Sequence, residues 1–249
     1  MKKQDDKNEI WFAVAWIVLY VVGTSMADNL SAQIGINKVF TLPFLLLLTA
    51  TAVYWVHKQQ LFEKYGLCKT PFKASRFCFY LPLLVPLTVN GWFGVKMNMP
   101  LHETLLYIGS MLCVGFLEEL IFRGFLFCAM AKDNVRSAIA VSSITFGIGH
   151  IVNLINGSGA GLVENLCQVC YAMAIGWLFV TLFYRGKSLW PCIAVHSAVN
   201  AFSAFADQTA MNSARHIAVA VVICITAVGY TLLLHRTLPN PQLSTTEKE

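Results

Sequence analysis

The sequence predicts an all-α, polytopic integral membrane protein with about eight transmembrane helices. Three observations predict it. Of the 249 residues, 57% are hydrophobic and only 12% charged, against roughly 25% charged in an average soluble domain. Apolar runs near the ~20 residues needed to cross a bilayer recur along the whole chain. The basic residues fall between these runs and favour alternate ends of them. A soluble fold of this length could not hide so much apolar surface, whereas lipid solvates it; the mean hydropathy of +0.61 agrees.

The expected spans are 10–26, 39–56, 77–95, 104–131, 135–155, 162–184, 189–206 and 217–234. The first ends in Ser25-Met26-Ala27, a small-x-small pattern like a signal-peptide cleavage site. Its apolar run is longer than usual for a signal, and Asp5, Asp6 and Glu9 are mixed with the preceding lysines, so it reads as a retained helix. After the second span, residues 57–76 form the one sizeable cytoplasmic connection. Leu61, Phe62, Tyr65 and Leu67 alternate there with lysines, which fits both a segment lying on the membrane surface and a plain basic loop. The fourth span is long enough to tilt or to extend beyond the lipid. A glycine-rich run, 156–161, reads as a flexible outer loop before the sixth. The seventh carries Pro191 near its start, where proline is tolerated. No repeat or composition break divides the chain. It reads as one transmembrane domain over 1–236, with a motif core at 104–206 and a disordered cytoplasmic tail over 237–249 that holds Pro239 and Pro241.

Orientation follows from Lys and Arg. With the N-terminus in the cytoplasm, only Lys38, Lys96 and Arg215 face outward and only Arg123 is buried. The other 14 of the 18 basic residues are cytoplasmic. Eight spans with both termini inside a plasma membrane is the coherent solution. The net charge of +5 is therefore a topology signal. With no basic patch interleaved with aromatics, nucleic acid is not an expected partner. The eight cysteines fall mostly inside apolar runs, unlike a secreted disulfide framework. Cys167 and Cys170 form a lone CxxC and read as small packing residues.

Ionisable side chains at mid-span are costly and usually functional. The fourth span carries Glu118, Glu119 and Arg123; the fifth carries Phe146, His150 and Asn153; the seventh carries His196 and Asn200. Glu119 and Arg123 are four apart with the acid first, the favoured order for an intrahelical ion pair. Structural glue accounts for that pair by itself. Glu118 is turned about 100° around the helix and cannot share the pairing fully. It is the carboxylate left over, suited to general-base work, and His150 and His196 on other helices can converge on it. Phe146 shares a face with His150 and reads as packing beside the site. His196 and Asn200 share another face.

Three motifs in order, Glu118-Glu119-x3-Arg123, Phe146-x3-His150 and His196-x3-Asn200, resemble the CPBP intramembrane proteases, the CAAX protease and bacteriocin-processing (Abi) family. The resemblance covers about 112–201, and the compact length is similar to bacterial members. It implies an all-helical membrane endopeptidase acting on a membrane-associated, prenylated or peptide substrate. It implies that Glu118 and His150 activate water, that His196 and Asn200 stabilise the oxyanion, and that Glu119 and Arg123 hold the first motif in shape. A mechanism with no cofactor is favoured, since no HExxH is present. The alternative is zinc held by Glu118, His150 and His196 with one position open. Two other functions compete: an ion-coupled transporter, since buried Glu and His also build proton relays, and a non-catalytic membrane partner in signalling or bacteriocin immunity.

Overall fold

The computed structural model describes residues 2–155 and 161–241. Its elements are α1 (Lys2–Ile34), α2 (Thr41–Lys58), a broken segment over 74–91, α3 (Leu101–Ala131), α4 (Val135–Gly149), α5 (Ile151–Ile155), α6 (Leu162–Gly186), α7 (Trp190–Phe202) and α8 (Ser213–Thr237). Among the described residues no strand forms beyond an isolated antiparallel bridge between Val95 and Ala206. The expected outer loop at 156–160 and the tail residues 242–249 lie outside the described residues.

The all-α polytopic fold agrees with the sequence reading, but the helices are less uniform than eight equal spans. Four are long and apolar enough to cross a bilayer by length and composition: Asn8–Ile34 within α1, α3, α6 and α8. Helices α2, α4 and α7 have 18, 15 and 13 residues. The expected fifth span is interrupted at His150, which closes the C-terminus of α4 before the short α5.

The expected third span, 77–95, is not a continuous helix. Residues 74–91 run as 3-10 turns around a five-residue α-turn, with Cys78, Phe79 and Tyr80 all in the left-handed region. Pro82 follows closely on the break and lacks the N–H that a continuous helix would direct at the Cys78 carbonyl. Phe77 and Tyr80 stack at 4.7 Å, and the Tyr230 hydroxyl donates to the Phe77 carbonyl at 2.7 Å. The segment still joins the two ends of the bundle. At one end Thr70 donates to the Gly186 carbonyl and Ser188 to that of Cys68. At the other, the Lys96 N–H donates to the Phe205 carbonyl and Asn98 donates to the carbonyls of Ala204 and Ala206. Irregular backbone at membrane depth needs such protein partners because lipid offers none.

The lipid-facing surface is apolar, with Met26, Leu47, Val221 and Ile225 among its exposed side chains. The inward face of α1 has helical spacing, Ala13, Trp16, Tyr20, Ala27 and Ser31, all buried. Its lower half docks through an aromatic cluster. Phe12 stacks on Trp55 at 4.5 Å, and Phe12, Trp16, Trp55 and Tyr65 all pack round Phe125 at 5.1–5.7 Å. Glu9 closes this end with Lys64 at 3.0 Å and Lys132 at 2.8 Å. At the far end of the chain, α8 runs to Thr237, and Leu238 is buried with its carbonyl bound by Arg185. Thr237 and Leu238, placed in the tail by the sequence reading, are part of the packed bundle.

Two glycines set the spacing of the central helices. A Cβ on Gly115 would stand 2.4–2.6 Å from the Oγ, N and Cα of Ser197, so α3 and α7 touch backbone to backbone. The Ser197 hydroxyl also donates to the Leu112 carbonyl at 3.1 Å. Gly147 does the same for α4 against α6, at Met173 and Val169. Gly115→Ala therefore forces the helices apart, and overpacking of this kind costs about 1–3 kcal/mol. A lower melting temperature in detergent is expected. Gly229→Ala on α8, with nothing within 4 Å of the added Cβ, should melt no lower than the parent protein.

Candidate active site

Three helices bring their polar residues to one place. Glu118 and Glu119 end the α-helical part of α3, one turn beyond the Gly115 crossing. The next eight residues, Leu120–Phe127, are a π-helix holding Arg123. Such wide turns are rare and often sit at functional sites. One carbonyl of this stretch, that of Phe122, accepts a 2.9 Å hydrogen bond from the Ser142 hydroxyl on α4.

Glu119 and Arg123 are wholly buried and lie 3.1 Å apart, Oε1 to Nη1. The angle is poor for a hydrogen bond, and the guanidinium nitrogens and Glu119 Oε2 have no hydrogen-bond partner among the described residues. The attraction is therefore mainly Coulombic. The aromatic face of Phe146, 4.1 Å from the guanidinium carbon, adds a cation–π contact, with Phe179 behind it at 5.9 Å.

Glu119 is more than half of an ion pair. Its Oε1 also accepts from His196 Nδ1 at 2.8 Å. That bond fixes the ring and turns Nε2 toward Glu118, whose Oε2 is 3.5 Å away. His196 thus stands between the two carboxylates, with 11% of its side chain exposed against 15% for Glu118. Glu118, expected to be left without a partner, has one: the Tyr20 hydroxyl of α1 donates to its Oε1 at 2.7 Å.

His150 reaches the cluster by way of Phe146. Its Nδ1 is 2.9 Å from the Phe146 carbonyl, so Nδ1–H donates and Nε2 is left as an acceptor. The Phe146 ring meets the His150 ring at 5.0 Å and the His196 ring at 5.7 Å, edge to face in both. It is the common wall of the two histidines. Among the described residues no ion pair joins His150 to either glutamate. The His150 carbonyl is held by Asn165 Nδ2 on α6 at 3.3 Å. Asn200 lies one turn beyond His196 and is half-buried. Its carbonyl accepts from Ser203 Oγ at 2.6 Å, and Ser203 in turn meets the Tyr107 hydroxyl. Next to it the Val199 carbonyl is capped by Asn90 from the broken segment. The Asn153 side chain lies outside the described residues.

Glu118, Glu119, Arg123, Phe146 and His196 form one contiguous cluster, with His150 on its edge and Asn200 a turn away. Sequence reasoning missed Tyr20, Asn165 and Phe179. A hydroxylated aromatic on the buried stripe of the first span was the available signal for Tyr20, and an amide in the first turn of the sixth for Asn165. As for zinc, no three His, Cys, Asp or Glu side chains are gathered as a metal-holding group among the described residues. Glu118 and His196 converge, but the His150 ring stands across Phe146 from His196. The three do not fit as a preformed set of metal ligands.

A family model described as type II CAAX prenyl endopeptidase, Rce1-like, matches residues 100–202. That stretch runs from the residue capping α3 to the last residue of α7. It holds every cluster member except Tyr20. The comparison with curated proteins gives no match. Burial of the pair makes a sharp expectation. Glu119→Gln or Arg123→Met alone strands a buried charge, which typically costs about 3–5 kcal/mol. The double variant should melt higher than either single one, as read by thermal unfolding in detergent.

Proposed function

We propose that this chain, whose residues 100–202 match the type II CAAX prenyl endopeptidase, Rce1-like model, is an intramembrane endopeptidase. It would cut a peptide bond in a membrane-associated substrate, prenylated or peptide, with no resident metal. The observation that carries the reading is His196 held between Glu119 and Glu118, at 2.8 and 3.5 Å, in a largely buried cluster.

In this mechanism a water sits between Glu118 and His150. His150 Nε2 accepts one of its hydrogen bonds, a role left open by the Nδ1–H bond to the Phe146 carbonyl. Glu118 takes a proton as the water oxygen bonds to the scissile carbonyl carbon. The π electrons move to the carbonyl oxygen. That oxyanion is met by His196 Nε2–H and the Asn200 amide; placed donors of this kind are worth about 10²–10³ in rate each. Collapse re-forms the carbonyl, breaks the C–N bond and passes the proton from Glu118 to the departing amine. Glu119 and Arg123 touch no reacting atom; they orient His196.

The test is cleavage of a prenylated peptide and a membrane-protein pool by the purified protein, beside Glu118→Gln, each with and without a zinc chelator. The expected result is cutting by the parent protein, a loss of 10²-fold or more in the variant, and no effect of the chelator. Cutting by a clean Glu118→Gln protein would remove Glu118 as the base. Inhibition by chelator with rescue by zinc would replace the metal-free mechanism. Asn200→Ala is expected to lower kcat by about 10²-fold while the KM stays near the parent value.

A further inference from the structure

We infer that Tyr20, on the first helix and outside the family segment, is the positioning residue of the Glu118 carboxylate. The inference rests on the reading of Glu118 as the base. Its geometric support is independent of that reading. Glu118 has two oxygens with different surroundings. Oε1 accepts the Tyr20 hydroxyl at 2.7 Å, a full hydrogen bond. Oε2 faces His196 Nε2 at 3.5 Å, beyond good hydrogen-bond length. Tyr20 is thus the one full hydrogen bond this carboxylate makes among the described residues. It fixes the plane of the group and occupies the oxygen turned toward α1. The oxygen turned toward His196 is left to receive the proton.

Tyr20 can do this because α1 is not free to slide or turn. Its ring is buried, one helical turn above Trp16, which packs on Phe125 of the π-helical stretch at 5.7 Å. Phe12 locks the turn below against Trp55 and Phe125. Glu9 ties the end of the helix to Lys64 and Lys132. The π-helical stretch that α1 grips begins one residue after Glu119. The anchor for the phenol and the anchor for the carboxylate are therefore the same packed unit. A buried phenol with its hydroxyl on a mid-span carboxylate is otherwise hard to explain, since phenylalanine would pack equally well against lipid-buried helices at no polar cost. The first helix then has a task beyond crossing the membrane: it supplies one wall and one hydrogen bond of the site.

Misplacing a reacting group by about 1 Å can cost 10²-fold in rate. Tyr20→Phe keeps the ring and removes the hydroxyl. It should lower kcat by about 10–100-fold with KM and melting temperature unchanged. Trp16→Leu is the packing control and should lower the melting temperature with a smaller loss of kcat. A second reading needs no turnover. The infrared carboxylate band assigned to Glu118, by its disappearance in Glu118→Gln, should move in Tyr20→Phe. An unmoved band, an unchanged kcat, or a kcat loss matched by Trp16→Leu would each overturn the inference. If the parent protein cuts nothing, the protease reading fails by itself, and the infrared band alone decides whether Tyr20 holds Glu118.

Discussion

The buried carboxylate of Glu119 is the point on which the site turns. One oxygen serves two partners on different helices, Arg123 at 3.1 Å and His196 at 2.8 Å. In a low-dielectric interior neither carboxylate nor guanidinium is tolerable alone, so the pair must be kept together. Keeping it there fixes three further things. The α3 and α7 helices must approach to backbone contact, which Gly115 permits. An aromatic face must cover the guanidinium, which Phe146 supplies. The His196 ring must present Nε2 to Glu118. A motif that looks like one ion pair and one spare acid is a single polar cluster shared by α3 and α7.

The irregular parts of the fold serve the same cluster. The π-helical stretch puts Arg123 and the aromatic anchor Phe125 immediately after the two glutamates. The break at His150 frees its carbonyl for Asn165 and aims its ring at Phe146. The broken segment over 74–91 caps the C-terminal end of the helix carrying His196 and Asn200, through Asn90 on Val199. Regular helices would satisfy the backbone more simply in lipid. Each departure from regularity here ends on a partner that positions a polar side chain. That pattern is what a site needing fixed geometry asks of its scaffold.

Helix α1 joins the scaffold to the polar cluster from outside the segment that matches the family model. Its buried stripe reads inward as small, aromatic and hydroxylated residues, and its outer side is plain apolar surface for lipid. The aromatic cluster at its base and the Tyr20–Glu118 bond near its middle act along one line. Loss of α1 packing would therefore reach the carboxylate even though no residue of α1 belongs to the three motifs.

The sequence alone determined the membrane setting, the all-α class and most of the polar residues that the fold gathers into one cluster. Those follow from quantities that do not depend on folding: how apolar a stretch is, and how costly an ion is in its middle. The i, i+4 spacing of Glu119 and Arg123 is local too, and so was legible. Only the tertiary structure decided which glutamate holds which histidine, because that depends on the crossing of α3 and α7 and not on spacing along either. It also decided that 74–91 is not a continuous helix, since hydropathy reports solubility in lipid and is blind to the left-handed backbone at Cys78, Phe79 and Tyr80. Tyr20 was beyond sequence reasoning for the same reason. Its partner lies 98 residues away, and nothing in a single chain marks a hydrogen bond between two helices until packing brings them together.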